Sequence, residues 1–172
     1  MKIIAFDISG NFHEGKGTTG YAVIDATTGQ LEIVDVVAAS TAECVEEYWE
    51  KHLQLLNKIY LDNNGDIVVR CEDYLLYKHK AMDQVQSHFE TPQLIGIIKY
   101  WCFINKVTLF MRSASTVKNR WTDEILERKN YIEKKSNSWY PVGCGNPHNL
   151  TLHERDAIRH AVACYCFDIE RK

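Results

Sequence analysis

The stretch that decides the predicted fold is Lys2-Ile3-Ile4-Ala5-Phe6-Asp7-Ile8, near the start of the chain. Its Ile and Phe content predicts a buried β-strand. The strand carries one carboxylate, Asp7, and burying a carboxylate is costly unless a charge or a metal ion compensates for it. Asp7 is therefore the first candidate functional residue. The alternative is that Asp7 only forms a turn at the strand end, beside Ser9 and Gly10.

Two more strands follow the first across short connections. The glycine-containing segment 9–19 is a predicted loop, Tyr21 to Ile24 is the second predicted strand, and Leu31 to Val37 is the third. Short connections favour antiparallel pairing, so we expect these three strands to form a meander.

Strands and helices alternate through the rest of the chain. Ile67 to Cys71 and Val107 to Met111 are the fourth and fifth predicted strands. The predicted helices are residues 40–60, a segment that opens at Thr91-Pro92, part of 113–133, and 151–167. The order βββαβαβα predicts an α/β fold, a five-stranded mixed sheet flanked by helices. The sequence has no internal repeat and no linker, which predicts one domain over residues 1–172.

Two of these segments carry more detailed expectations. Ser40 or Thr41 is the expected N-cap of the first helix, with Glu43 at capping-box spacing from Ser40. The apolar face of that helix is expected to contain Val45, Trp49, Leu53 and Leu56. Residues 136–150 contain two prolines and two glycines and are predicted to form an irregular loop.

The composition excludes several classes of protein. With 45% hydrophobic and 11% aromatic residues and only 3 prolines, the chain is neither disordered nor collagen-like. No apolar run approaches the roughly 20 residues of a membrane span. Asp7 interrupts the apolar region that an export signal would need, so we expect a cytoplasmic protein. The six cysteines form no C-x-x-C pair and are expected to be reduced thiols. A zinc set is disfavoured because its members are irregularly spaced: Cys144, His148, Cys164 and Cys166.

Charge is unevenly distributed along the chain, although the net charge is only −3. Residues 99–135 carry nine Lys and Arg against four Asp and Glu. Four tyrosine and tryptophan residues are interleaved with them: Tyr100, Trp101, Trp121 and Tyr131. Such a mixture is typical of a nucleic-acid surface, and the alternative is an ordinary solvated helix face.

Acidic residues stand at the ends of two further predicted elements. Glu72 follows the fourth strand, and its alternative role is an ion pair with Lys78. His153 and Asp156 lie in the first turns of the last helix, where spacing i, i+3 puts them on one face. Their alternative role is to stabilise the helix dipole.

These residues would form a metal site if the first and fourth strands are neighbours. Asp7 and Glu72 would then lie side by side, and the last helix could bring His153 and Asp156 to the same point. Mg²⁺ or Mn²⁺ prefers such oxygen-rich sites, and Mn²⁺ also accepts imidazole nitrogen. Two such ions about 4 Å apart can activate water for phosphodiester cleavage.

Several stretches, taken in chain order, together carry a family resemblance. They are IIAFDIS (3–9), GTTGYAVID (17–25), VVRCEDY (68–74), TPQLIG (91–96), STVK (115–118) and HERDAIRHA (153–161). This set resembles the RuvC-type Holliday junction resolvases of the RNase H-like superfamily, and looks closest to phage-encoded members.

The resemblance implies a function and a set of site residues. Asp7, Glu72 and Asp156 match the family's catalytic metal ligands, and His153 falls where many members have a fourth acid, with Glu154 as a neighbouring candidate. Lys118 matches a basic residue that would contact the scissile phosphate or stabilise the leaving group; its alternative is an ordinary exposed lysine. Residues 74–77 match a loop that the family inserts into the junction, with core packing as the alternative.

The implied protein is thus an RNase H-like endonuclease with two Mg²⁺ or Mn²⁺ ions, acting on branched DNA as a symmetric homodimer. For a phage-encoded member, the compartment is the host bacterial cytoplasm. A second hypothesis is a non-catalytic module that binds branched DNA, which an intact set of metal ligands argues against. A third is an actin-like ATPase or sugar-kinase lobe, because residues 15–20 faintly resemble a phosphate loop, but such folds need two lobes.

Overall fold

The computed structural model describes residues 1–13, 15–74 and 89–169, and its centre is a five-stranded sheet. The strands are β1 (Lys2–Asp7), β2 (Thr18–Asp25), β3 (Leu31–Ala38), β4 (Ile67–Asp73) and β5 (Thr108–Ser113). Their order in the sheet is β3-β2-β1-β4-β5. The first three strands pair antiparallel, whereas β1, β4 and β5 run parallel. The predicted mixed sheet is confirmed, with β1 in its middle.

Helices cover both faces of this sheet. They are α1 (Val45–Asp62), α2 (Glu90–Ile104), α3 (Ala114–Lys118), α4 (Asp123–Arg128) and α5 (Leu152–Cys164). One hydrophobic core joins the sheet to α1 and α2, and a second joins it to α3, α4 and α5. We call the two sides the α1/α2 face and the α5 face. Within the described ranges, none of the helices has the length and apolarity that crossing a bilayer requires.

The alternation of side chains along β1 supplies both cores. Ile3 and Ala5 belong to the core of the α5 face, whereas Ile4 and Phe6 belong to the core of the α1/α2 face. All four side chains are completely buried. Because successive side chains of a strand point to opposite faces, Asp7 falls on the α5 face.

One expectation about α1 was wrong and a second was only partly confirmed. The helix begins at Val45 after Cys44, because Ala39–Thr41 form a separate 3₁₀ turn, so the predicted capping box of Ser40 and Glu43 does not form. Of the predicted stripe, Leu56 is fully buried as expected, whereas Val45, Trp49 and Leu53 lie at the margin of the buried face. Its residues are Tyr48, His52, Leu56 and Ile59.

The tyrosine in this face explains the shift. The Tyr48 hydroxyl donates to the Ser9 carbonyl oxygen at 2.7 Å and lies 3.1 Å from the Thr19 hydroxyl. Both partners belong to the chain around β1 and β2. This anchoring turns α1 so that Tyr48, rather than Trp49, faces the sheet.

The C-terminal third also differs from the prediction. The start of the expected loop 136–150 is ordered, since β7 (Ser138–Pro141) pairs with β6 (Ile132–Lys135) just before it, with Ser136 at positive φ in the turn. Proline ends β7, and residues 142–150 are irregular as expected. The last helix ends at Cys164 rather than at Phe167, and a wider helical turn continues to Ile169.

The aromatic residues of the basic segment were also misplaced by the prediction. Trp101 packs in the core of the α1/α2 face, and Trp121 and Tyr131 pack in the core of the α5 face. Of the four, only Tyr100 is exposed. These three rings therefore stabilise the fold and are not free to stack on bases.

Candidate metal centre

Parallel pairing of β1 and β4 brings two predicted site residues together. Phe6 lies opposite Cys71 in the register, so Asp7 and Glu72 follow side by side at the carboxyl ends of the strands. Both belong to the alternating set of residues on the α5 face. Asp7 is buried, and Glu72 is partly buried.

A glycine allows α5 to reach this edge of the sheet. Gly20 of β2 lies directly opposite Asp7 in the antiparallel register. A Cβ atom at Gly20 would overlap the backbone carbonyl of His153, at the start of α5. This close approach brings His153 Nδ1 within 2.7 Å of Asp7 Oδ2.

The N-terminus of α5 is fixed by a capping box. The Thr151 side chain accepts from the Glu154 amide at 3.3 Å, and Glu154 Oε2 accepts from the Thr151 amide at 2.7 Å. The other carboxylate oxygen of Glu154 lies 2.5 Å from His148 Nε2. Glu154 is thus engaged away from Asp7, and the structure places His153, not Glu154, beside the carboxylates.

Two cations neutralise Asp156 in the structure. Lys118 Nζ lies 2.6 Å from Asp156 Oδ2 and 3.8 Å from Asp7 Oδ1. Arg159, one turn along α5, pairs with the other oxygen of Asp156 and with Asp123. The five predicted site residues, including Lys118, which was expected only from the resemblance, therefore lie together at one edge of the sheet.

Sequence reasoning missed one member of this site, His160. Its ring is completely buried, and neither of its nitrogens has a hydrogen-bond partner among the described residues. Asp7, Glu72 and His160 each offer a ligand atom, and these atoms all lie within 4.8 Å of one another. The signal was available, since His153, Asp156 and His160 are spaced three and four residues apart on one helix face.

This donor set fits a divalent cation. A buried imidazole without a partner carries a cost, and a metal ion would remove it. Two carboxylates and one neutral imidazole are donors that Mn²⁺ accepts, while Mg²⁺ prefers the oxygens alone. The described residues contain no other group of three His, Cys, Asp or Glu side chains arranged so closely, and Cys144, Cys164 and Cys166 do not form one.

The titration behaviour of the site follows from burial and from its charges. Burial and the neighbouring charge of Asp7 raise the pKa of Glu72 to about 7. Burial alone would also raise the pKa of Asp7, but the His153 hydrogen bond and the Lys118 charge outweigh it, so that pKa is lowered. Burial lowers the pKa of His160 to about 3, which keeps the imidazole neutral and available as a ligand.

Buried carboxylates form the floor of the site, and partly exposed side chains form its mouth. Asp156 and Asp7 are almost fully buried, whereas the side chains of His153 and Lys118 are 40% and 41% exposed. The hydrogen bond to Asp7 raises the pKa of His153, and the contact with Asp156 outweighs burial to raise the pKa of Lys118. A negatively charged ligand would thus meet the Lys118 ammonium group and the His153 imidazole before the carboxylates. The predicted loop residues 75–77, and Lys78, lie outside the described residues.

Comparison with known proteins identifies the fold of the chain but does not identify its activity. No family model matches the chain, and no curated protein matches it. Among solved structures, the chain resembles T. thermophilus RuvC in complex with Holliday junction substrate, with a TM-score of 0.67 and 14% sequence identity. The match covers 99% of this chain and 96% of the other. The fold is therefore RuvC-like, within the RNase H-like class.

Proposed function

We propose that this protein is a metal-dependent endonuclease that cleaves phosphodiester bonds in branched DNA such as Holliday junctions. The observation that carries the proposal is the close group of Asp7, Glu72 and His160, with Asp156 beside it. Its position, at the carboxyl ends of parallel strands on a RuvC-like fold, supports the same conclusion. The likeness to a RuvC structure with bound junction supports branched DNA as the substrate.

The proposed ligand roles follow the geometry. Asp7, Glu72 and His160 would hold one divalent ion, and Asp7 and Asp156, assisted by His153, would hold a second. Two ions of this kind, Mg²⁺ or Mn²⁺, would supply activation of a water molecule and stabilisation of the leaving oxygen. Asp7 would contribute to both positions, since its Oδ2 atom contacts His153 and its Oδ1 atom faces Lys118.

Lys118 has a proposed role of its own at the mouth of the site. In the structure it neutralises Asp156 and approaches Asp7. When cations occupy the carboxylates, this lysine loses its attraction to them, and its exposed ammonium group can bind the scissile phosphate or the leaving oxygen. Its raised pKa keeps it charged at neutral pH.

The β6–β7 hairpin is the proposed site of DNA contact away from the reaction. Lys134 lies 5.6 Å from the ring of Trp139, and Lys135 lies 5.4 Å from the ring of Tyr140. Both lysines are exposed. Lysines bind backbone phosphates, and partly exposed aromatic rings stack on unpaired bases, which a branch point provides.

A homodimer is also proposed, with a second copy on the α1/α2 face. An apolar groove there is lined by Trp49, Leu53, Ile97, Tyr100 and Ile104. Tyr100 is 66% exposed, and the nearby Phe103 is 79% exposed. A four-way junction has two-fold symmetry, which a symmetric dimer matches, and an exposed apolar patch of this kind is typical of an interface. The proposed compartment is the bacterial cytoplasm, and a phage source stays a prediction from the sequence.

The two alternative functions receive less support. A non-catalytic DNA-binding module would not need a partner-free buried imidazole beside two carboxylates. A phosphate loop at residues 15–20 is disfavoured because the space over Gly20 is filled by the α5 backbone. Thr18 and Thr19 are already paired within β2, opposite β3.

The test is cleavage of labelled four-way junction, splayed fork and linear duplex DNA with Mg²⁺, Mn²⁺ or EDTA. The expected result is metal-dependent nicking of branched DNA that Asp7→Asn abolishes. The matched control is Asp62→Asn, which removes the same charge at the exposed end of α1 and should cleave normally. Junction binding without cleavage under all conditions would instead support the non-catalytic module, and absence of both would overturn the DNA function.

A further inference from the structure

A second polar cavity opens on the α5 face, apart from the metal centre. Its volume is about 260 Å³, and it is lined by Arg70, Arg112, Thr116, Arg120 and Phe167, among others. Arg70 comes from β4, two residues before Glu72 and on the same face. None of Asp7, Glu72, Asp156 and His160 lines the cavity, so a ligand bound there would not use the proposed metal ligands.

Arg70 is unusual because it is fully buried and only partly satisfied. Its side chain has no exposed surface, and its Nη1 donates to Asp168 Oδ2 at 2.7 Å. Its Nε and Nη2 atoms have no hydrogen-bond partner among the described residues. These two nitrogens form one edge of the guanidinium group, the edge that binds two oxygens of an oxyanion at once. The neighbouring Cys164 thiol, which contacts Arg70, is only a weak acceptor. Charged donors without a strong acceptor in a protein core are costly, which indicates a place for one.

The cavity as a whole carries excess positive charge. Three arginines line it, and the carboxylate that neutralises them in the structure, Asp168, is shared between Arg70 and Arg112. Cys164, beside Arg70, adds no negative charge, because burial raises the pKa of its thiol to about 12.

The three arginines lie at different depths in the cavity, and this arrangement favours a terminal phosphate over a phosphodiester. Arg112 is 42% exposed and Arg120 is also exposed, so both lie at the mouth, with Arg120 stacked over the Phe167 ring at 4.2 Å. Arg70 lies at the bottom, without exposed surface. A backbone diester would need room for chain on both sides of its phosphorus, whereas a terminal phosphate can enter such a cavity end-on.

We infer that this cavity binds a phosphate group with one or no ester substituent, using the Nε–Nη2 edge of Arg70 and the exposed Arg112 and Arg120. Two sources share this chemistry, namely inorganic phosphate and the 5′-phosphorylated end of a nucleic acid strand. The site requires no divalent metal and none of the carboxylates. Its success or failure is therefore distinguishable from that of the proposed cleavage.

The test is calorimetric titration of inorganic phosphate into the full chain in EDTA, at constant ionic strength. Arg112→Gln and Arg120→Gln should each weaken phosphate binding by about tenfold, the usual loss for one charge-assisted hydrogen bond. The control is Arg128→Gln, which removes the same charge from an exposed position of α4 outside the cavity and should leave binding unchanged. Both mouth positions are exposed, so these variants are expected to fold, whereas substitution of Arg70 risks unfolding the core.

Competition separates the two sources. A single-stranded oligonucleotide with a 5′-phosphate that displaces phosphate at much lower concentration than phosphate itself identifies a strand end as the ligand. If the oligonucleotide fails to compete while phosphate still binds, the ligand is free phosphate. The inference is overturned if millimolar phosphate does not bind, if Arg128→Gln weakens binding as much as the mouth variants, or if a 5′-hydroxyl oligonucleotide competes equally well.

Discussion

The two faces of the sheet bury different chemistry, although the same strands supply both. The α1/α2 face packs apolar side chains such as Ile4, Phe6 and Val69 against two helices. The α5 face also buries a set of charged and titratable side chains: Asp7, Arg70, Asp156, Arg159, His160 and Asp168. Successive residues of one strand thus pack in different environments, because their side chains alternate between the two faces of the sheet.

The two faces therefore differ in how their buried side chains contribute to stability and to activity. Burial of apolar surface is favourable without any partner. Buried charges are stable only when paired, and removing one partner leaves the other at a high cost. We therefore expect substitutions on the α1/α2 face to change stability and substitutions on the α5 face to change activity.

The largest effect should come from Glu72→Gln on the α5 face. Loss of this proposed ligand is expected to reduce cleavage of four-way junctions by at least about a thousandfold, since metal stabilisation of the transition state contributes several kcal/mol. Single-turnover cleavage with saturating Mn²⁺ measures it. A variant that retains a tenth of the wild-type rate would contradict the proposed role of Glu72.

The same substitution should raise the stability of the metal-free protein. The pKa of Glu72 is about 7 in the folded protein and near 4.5 when unfolded. An acid with a raised folded pKa stabilises the protein at low pH, and this contribution is lost as pH rises from about 4.5 to 7. At pH 8, Glu72→Gln should therefore increase the free energy of unfolding, by up to about 3 kcal/mol. Urea unfolding in EDTA tests it, and a less stable variant would contradict the argument.

The opposite pattern is expected for Leu56→Ala on the α1/α2 face. Leu56 is completely buried in α1, and its truncation should lower the free energy of unfolding by about 2–5 kcal/mol. Cleavage per folded molecule should stay unchanged, because α1 contacts the sheet on the side away from the carboxylates. Denaturant unfolding and the cleavage rate, measured on the same sample, check both halves. A large loss of rate in fully folded protein would show that the faces are coupled.

A buried histidine gives the α1/α2 face a pH dependence of its own. Burial lowers the pKa of His52 to about 4, while an unfolded histidine titrates near 6.5. Below pH 6.5 the unfolded chain takes up a proton that the folded chain excludes, so stability falls as pH drops from 6.5 to about 4. The expected loss is about 3 kcal/mol.

His52→Phe isolates this contribution. His52 stacks edge-on against Tyr48 and lies near Phe6, so a phenylalanine suits its surroundings. Between pH 6.5 and 4, the free energy of unfolding should fall less steeply in the variant than in the wild-type protein. The two slopes should differ by about 1.4 kcal/mol for each pH unit. Urea midpoints across this range are the measurement, and equal slopes for both proteins would refute the prediction.

The sequence predicted the sheet better than it predicted the helices around it. Alternation in β1 and short connections were enough to give the mixed sheet. The face of α1 was misassigned because the buried stripe contains His52 and Tyr48, which hydropathy alone assigns to the surface, whereas Trp49 and Leu53 are more apolar. The hairpin of β6 and β7 was missed because glycines and prolines nearby indicated a loop.

The site residues were likewise predictable from the sequence only in part. Strand ends and helix spacing indicated Asp7, Glu72 and the first turns of α5, because those positions follow from local geometry. His160 and Arg70 were not singled out, since their significance depends on burial and on unsatisfied nitrogens, which only the packed structure reveals. Glu154 was a candidate ligand until the capping box showed its hydrogen-bond partners.

The smallest effects should come from two glycines, one on each side of the sheet. A Cβ at Gly20 would overlap the α5 backbone at His153, so Gly20→Ala is expected to lower the free energy of unfolding by about 1–3 kcal/mol. It should also slow cleavage, because the N-terminus of α5 must move away from Asp7.

Gly96→Ala is the control substitution, for which a gain in stability is expected instead of a loss. This glycine lies within α2, exposed, and a Cβ there meets no atom within 4 Å. Alanine restricts the unfolded chain and favours helix, so the substitution should raise the free energy of unfolding by about 0.5–1 kcal/mol. Thermal unfolding and junction cleavage of both variants test the pair. A Gly96→Ala variant that was less stable than the wild-type protein would contradict this prediction.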